Sequence, residues 1–437
     1  MTLKRTVTFA VAATSVVLTA SASSAQSAAA PLASVVIRNV TIIDVVAGVV
    51  RPGVTVVIAG NRIGEIGRAD VPTRAGAREV DGRGKFLIPG LWDMHVHLGN
   101  ATEAALPVLV AAGVTGVRDM GSPSVEALRR WHVDALSGAR VAPRIVAAGP
   151  MLTIGKPQFW QLAIRGAADA RRAIDSLAAV GVDFIKITQS LDRETYFAVA
   201  EETAKLGLPL AGHLPVNAAG DGFAVSASEA SEAGQKSLEH MHGIPFSFGP
   251  GDSALVRVLR RNGTWVTPTL AAYRARAHVH ELAATQDDRL RRIAPSFKQH
   301  WDAQVRSFSK QTAAHVQILG SRASAVRTLY QAGIPLLAGT DLGFPFVFPG
   351  DVASELELLV EAGLSPLEAL RTATINPARY LDREKELGSV DIGKVADLVL
   401  LDSNPLDDIR HVRQVRTVVL NGRLLDRAQL DAVLPTF

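Results

Sequence analysis

Six side chains of metal-ligand or proton-transfer type stand at the ends of separate apolar runs: His95, His97, Lys186, His213, His240 and Asp341. His95-Val96-His97 closes the run that begins at Phe86. Two histidines at spacing two on a strand face the same side, so both imidazoles converge on one point, as a metal site requires. Alone, the pair reads equally as two satisfied polar side chains near a strand end. Lys186 sits between Ile185 and Ile187. If those isoleucines point outward, the amine points inward, where an unpaired ammonium is costly and tends to neutralise. A neutral buried amine can add carbon dioxide, and the two oxygens of the resulting carbamate can bridge two cations. Alone, Lys186 is better read as a structural lysine that reaches solvent or an acid. His213 ends Ala211-Gly212-His213, His240 ends Leu238-Glu239-His240, and Asp341 ends Ala338-Gly339-Thr340-Asp341. Taken together the six form a nitrogen and oxygen ligand set that suits zinc, and equally accepts cobalt, manganese or nickel. The chain has no cysteine, which excludes disulfides, thiolate sites and a cysteine nucleophile.

Other side chains are weaker candidates. His242, two residues beyond His240, is a substrate contact or a loop residue. Tyr273 follows Thr267-Pro268-Thr269 and is a donor to a substrate carbonyl or carboxylate, or a packed rim aromatic. Arg118 and Asp119 end another apolar run and read as a structural ion pair in preference to a substrate contact. The segment Gly343 to Gly350, with three Phe and two Pro, suggests an apolar pocket wall. Asp351 and Glu355 look like helix-start acids, which favour that end of a helix. A substrate carboxylate would call for an arginine, and Arg274 and Arg276 both qualify.

Positioning these residues requires a repeating scaffold. Eight apolar runs serve as strands: Phe86–His97, Gly113–Asp119, Arg144–Ala148, Phe184–Ile187, Leu210–His213, Ser237–His240, Trp265–Thr269 and Leu336–Asp341. Helical segments such as Ala168 to Val180 and Arg193 to Leu206 lie between them. Strand–helix alternation of this length is the pattern of an α/β fold, a (β/α)8 TIM-type barrel, whose chemistry sits at the C-terminal ends of its strands. The stretch from Ala275 to Arg327 exceeds one barrel helix and supplies extra helices over the mouth. The ends differ in texture. Short Val- and Ile-rich strands occupy residues 34–85 and return in 381–437, with turn signals at Gly60-Asn61 and Asn421-Gly422. One small β-sandwich built from both chain ends follows, with the barrel, 86–380, inserted between.

The first 25 residues read as a cleaved secretory signal. Lys4 and Arg5 precede an apolar stretch from about Thr6 to Ala20, and Ser23 and Ala25 fit a cleavage site. That stretch is shorter than the roughly 20 residues needed to span a bilayer, so no membrane anchor is expected. Residues 26–33 form an Ala/Ser linker, and the periplasm or the exterior is the expected destination. Loss of the leader removes two positive charges from a formal net charge of +4, which excludes a nucleic-acid partner.

The motifs together resemble the amidohydrolase superfamily, in its binuclear branch of imidazolonepropionase-like and prolidase-like metal-dependent hydrolases. The resemblance spans nearly the whole mature chain. It rests on Ile88-Pro89-Gly90-Leu91-Trp92-Asp93-Met94-His95-Val96-His97, on Thr372-Ala373-Thr374-Ile375-Asn376-Pro377-Ala378, and on Leu387-Gly388-Ser389-Val390-Asp391-Ile392-Gly393-Lys394-Val395-Ala396-Asp397-Leu398-Val399. The resemblance implies two divalent ions. His95 and His97 would hold the more buried one with Asp341 close by, Lys186 as carbamate would bridge both, and His213 and His240 would hold the more exposed one. It implies Asp341 as the proton shuttle and hydrolysis of an amide or peptide bond in dipeptides or N-acyl amino acids. Cyclic-amide, imidazolone and lactone hydrolysis, and a catalytically silent binding barrel, are the alternatives. A homo-oligomer is also compatible. Ala211-Gly212-His213-Leu214-Pro215 departs from the Ala-His-Ala-His form of several relatives, which reshapes the pocket around a retained ligand position.

Overall fold

The computed structural model describes residues 35–68, 76–246, 248, 253–285 and 287–437. The expected leader and linker lie outside the described residues.

Both chain ends build one small sheet. The front of the chain gives Val35–Asp44, Val49–Ala59, Arg62–Arg68, Arg78–Asp81 and Phe86–Pro89, and the back gives Leu398–Leu401, Val415–Leu420 and Arg423–Asp426. Alternating Val and Ile residues, among them Val35, Ile37, Ile42 and Ile58, meet Leu398, Leu400 and Val419 in a core of their own. The eight strands form a single hydrogen-bonded sheet. Both expected turns are present, linking antiparallel pairs. They also touch: Asn61 Nδ2 donates to Asn421 Oδ1 at 3.3 Å. Gly422, at φ +82°, backs so closely on the Gly60 carbonyl that a Cβ would lie 2.0 Å from its oxygen.

The alternating strand and helix region begins later than the expected residue 86. Phe86–Pro89 lies in the small sheet, parallel to Thr41–Ile42 and antiparallel to Leu398–Leu401. The chain then breaks at Gly90, where a Cβ would meet Thr115 Oγ1 at 2.0 Å, and continues as Leu91–Val96 in a second sheet. A continuous apolar run conceals such a change of sheet, because both halves are buried.

The middle of the chain alternates strands and helices as expected. Leu91–Val96, Val114–Asp119 and Arg144–Ala147 form a parallel three-stranded sheet. Ile185–Ile187, Leu210–Gly212, Gln235–Glu239 and Trp265–Thr267 form a second parallel set, extended by Met151–Ile154 and Gln161–Ile164, which the sequence pattern did not signal. The eighth run is no full strand. It joins the two sheets by single parallel bridges, Leu336 to Val266 and Leu342 to Val96. Four helices matter for the site: α1 (Leu270–Ala277), α2 (Pro295–Phe308), α3 (Thr312–Gln331) and α4 (Val352–Glu361). Among the described residues no helix is long and apolar enough to cross a membrane.

Candidate metal centre

The strand ends bring the six expected residues to one place. Lys186 is fully buried between its isoleucines, as alternation required, and its Nζ has no hydrogen-bond partner. Burial pushes its ammonium down to about 8, outweighing Glu239 and Asp341, which favour the charge. Asp341 Oδ1 lies 3.5 Å from His95 Nε2 and 3.3 Å from His97 Nε2. These three residues are spaced to share one cation. His240 is 3.7 Å from Asp341 Oδ2 through Nδ1, and its ring stands 4.5 Å from that of His95 and 5.0 Å from that of His213.

Electrostatics keep the candidate ligands in a form able to bind a cation. Burial, and then the Lys186 charge, push His95 down to about 4 and His213 well below the ordinary imidazole value, so both offer lone pairs near neutrality. Burial would raise the Asp341 carboxyl, but His95, His97 and Arg276 outweigh it and hold it ionised well below the usual range. The orphaned atoms test the fit of a metal. His95 Nε2, Lys186 Nζ, His213 Nδ1 and both Asp341 oxygens are buried without a hydrogen-bond partner. Buried polar atoms are rarely left so, and those of His95 and Asp341, which lie with a ring nitrogen of His97 within 4.8 Å of one another, fit a cation centre.

Behind this set stands a layer that sequence reasoning missed. Glu239 is fully buried; its Oε2 accepts from His95 Nδ1 at 2.7 Å and its Oε1 from Arg118 Nη2 at 2.8 Å and Ser237 Oγ at 2.5 Å. Arg118 also donates to the Met94 carbonyl and to Tyr380 Oη. The expected Arg118–Asp119 pair does not form, since strand neighbours point to opposite faces. Asp119 instead accepts from Leu98 N and Ser122 Oγ. Asp93, another buried acid, accepts from Thr340 N and Oγ1 and fixes the turn before Asp341.

The weaker candidates divide. His242 lines the site 4.7 Å from the His213 ring, pushed down to about 3 by burial, with its Nδ1 unpartnered. Tyr273 lines the cavity too, but its hydroxyl donates to the His240 carbonyl at 2.9 Å, so it buttresses a ligand. Arg276, and not Arg274, lines the cavity; its guanidinium lies 4.0 Å over the Phe344 ring and 3.8 Å from Asp341 Oδ2. Phe344 provides the expected apolar wall, whereas Phe346 and Phe348 pack on Trp301. The cavity above the ligands measures about 410 Å³, and Gln304 and Phe308 of α2 close it from the long insertion, as expected of extra helices over the mouth. Trp160, Gln158 and Gln161 close the opposite side. Asp351 stands at the start of α4 but its side chain caps no amide there; it accepts from Phe348 N and Ser354 Oγ and pairs with Arg289 at 2.8 Å. Glu355 is fully buried and serves another helix.

Comparison with known proteins gives a consistent answer. The model of the "Amidohydrolase family" matches residues 86–425. An imidazolonepropionase from Anaeromyxobacter sp. (strain K) is 27% identical over 92% of this chain and 99% of its own length. Ochratoxinase from Aspergillus niger is 25% identical over 85% of this chain and 83% of its own. Among solved structures, a candidate prolidase from Bifidobacterium longum is 26% identical with a TM-score of 0.74, covering 92% of this chain and 98% of that one.

Proposed function

The chain belongs to the amidohydrolase family, and on that premise we propose that it is an exported hydrolase of amide bonds in small carboxylates, N-acyl amino acids or dipeptides. The reading includes a (β/α)8 barrel closed around two divalent ions, zinc in the first instance. His95 and His97 would hold the inner ion, His213 and His240 the outer one, with Lys186 as a carbamate between them and Asp341 beside the inner one. The observation that carries it is the convergence of orphaned buried donors and acceptors at the strand ends. Divalent ions held there supply an activated water and polarise the carbonyl to be attacked.

The chain's own residues do the rest. Asp341, ionised and facing His95, His97 and Arg276, accepts the proton of the attacking water and returns it to the leaving nitrogen. Arg276 opens into the cavity with its Nε unpartnered. A substrate carboxylate draws its guanidinium from Asp341 into a paired geometry. Trp160, Phe308 and Phe344 offer apolar walls to the side chain. Similarity to imidazolonepropionase along nearly its full length supports a second reading, a cyclic amide as substrate. The complete ligand set argues against a barrel that only binds.

The test is to purify the mature chain with bicarbonate and count metals beside Lys186→Ala. Two divalent ions per wild-type chain, lost in the variant, are expected, with amine release from N-acyl amino acids or dipeptides. One ion or none, indifferent to Lys186, overturns the binuclear reading.

A further inference from the structure

Thr269 begins α1 in the left-handed conformation, φ +54°. Threonine at a helix start ordinarily turns its hydroxyl onto the amides of the first turn. Here it makes no such bond. Its Oγ1 instead meets His240 Nδ1 at 2.8 Å. The orphaned amides go elsewhere: Leu270 N donates to Glu355 Oε1 at 3.0 Å and Ala271 N to Glu355 Oε2 at 2.7 Å. Glu355 arrives from α4, 85 residues further along the chain, and is fully buried.

What α1 carries gives this exchange its meaning. Tyr273, one turn in, donates to the His240 carbonyl, and Arg276, almost a further turn on, presents the guanidinium that faces Asp341. His240 is thus gripped from two sides by one helix, by the Thr269 hydroxyl at its ring and the Tyr273 hydroxyl at its backbone. The backbone there is left-handed at His240, Met241 and Thr269, a conformation that non-glycine residues keep only when their surroundings impose it. Glu355 enters none of the ion pairs among the described residues. Burial pushes its carboxyl up to about 8 against the pull of the two amides. For the fold alone, a helix capped by its own threonine and an apolar residue at 355 would avoid that cost.

We propose that Glu355 is a positioning residue of the catalytic centre: it stands in as the cap of α1, releases Thr269 to hold the His240 imidazole, and thereby sets both that ligand and Arg276. This rests on the reading of His240 as a ligand of the outer ion. With Nδ1 engaged by Thr269 Oγ1, Nε2 is the His240 ring nitrogen that would remain for the outer ion. Loss of Glu355 leaves two buried amides that draw the Thr269 hydroxyl back to its ordinary capping duty and free the imidazole to turn.

The experiment compares Glu355→Ala, Glu355→Gln and a control, Leu356→Ala, a fully buried neighbour on the same helix. Metal affinities are read by competition with a chromophoric chelator, without turnover, and KM and kcat are read separately on an N-acyl amino acid. Expected for Glu355→Ala is a loss of about ten- to a hundredfold in affinity for the second ion, with the first ion held as in the wild type and a raised KM. Glu355→Gln keeps one acceptor oxygen and recovers part of both. Leu356→Ala lowers the Tm and changes neither affinity. Unchanged second-ion affinity in Glu355→Ala, or the same loss in Leu356→Ala, overturns the proposal. If Glu355→Ala does not fold, Glu355→Gln decides: wild-type affinity for the second ion overturns it. A wild-type chain that binds fewer than two ions defeats the metal-centre reading and this inference with it, a result seen before any variant is made.

Discussion

Replacing Glu239 by Gln exchanges one oxygen for an NH2 group and removes one charge, yet it strikes both the buried Arg118 network and the candidate metal centre. The carboxylate accepts on both sides: Arg118 and Ser237 at Oε1, His95 at Oε2. A glutamine has one acceptor oxygen. If that oxygen faces Arg118, the amide NH2 faces His95 Nδ1. Nδ1 must then carry the lone pair, and the proton moves to Nε2, the atom 3.5 Å from Asp341 that would ligate the metal. If the oxygen faces His95, two donors oppose each other at Arg118. Burial by itself would favour the neutral guanidine and the neutral acid; their mutual attraction, joined by Tyr380 for Arg118 and by His95 and Lys186 for Glu239, keeps both ionised. One lost charge-assisted bond costs about 1.5–3 kcal/mol. Removal of the carboxylate altogether, as in Glu239→Ala, costs about 3–5 kcal/mol by stranding a buried charge. Loss of the partner behind a metal-binding histidine weakens affinity by about ten- to a hundredfold. Urea melts in chelator give the first figure, and chelator competition on the folded variant gives the second. A Glu239→Gln protein with wild-type stability and wild-type affinity for the first ion would refute the relay from Arg118 through Glu239 to His95.

Two further outcomes are expected. The folded protein holds Lys186 near 8, below its ordinary 10.5, so between those values the unfolded chain binds the additional proton. Metal-free, CO2-free protein should therefore gain about 3 kcal/mol as pH climbs from 8 to 10.5, a gain absent below 8. Lys186→Met removes that slope, and urea melts across the range that show parallel curves for both proteins contradict it. Arg276→Ala should raise KM for carboxylate-bearing amides at least about tenfold, the value of one charge-assisted hydrogen bond, while leaving the KM of the corresponding C-terminal amide in place. An equal change for both substrates shows that Arg276 only packs.

The burial and grouping of the candidate ligands were legible in the sequence because strands bury alternate residues. His95 with His97, and Lys186 between two isoleucines, carry their orientation in their spacing. Glu239 was not legible for the converse reason. Alternation sets it opposite His240, but the chain turns left-handed at His240, φ +55°, so both residues reach the interior. Arg118 was seen but paired with its neighbour, because its true partner lies 121 positions away. Glu355 looks like any acid near a helix start; the amides it serves belong to another helix. The two strands at Met151–Ile154 and Gln161–Ile164 went unread, although Trp160 between them and Met151 and Gln161 within them line the cavity. The leader, read from basic, apolar and small residues in order, lies outside the described structure.

The seam at Phe86–Pro89 sets an order of events in the life of the molecule. That strand is held on one side by residues already made and on the other by Leu398–Leu401, some three hundred positions later. During synthesis its second edge stays bare until almost the whole chain exists, and bare edges invite wrong partners. Contacts so distant in sequence also form slowly. Completion of the chain, and not the folding of the first strands, therefore sets the earliest point at which this protein can become whole. A chain shortened by its last forty residues would keep every candidate ligand and still lack Leu398–Leu401, Val415–Leu420 and Arg423–Asp426, the strands that close that sheet.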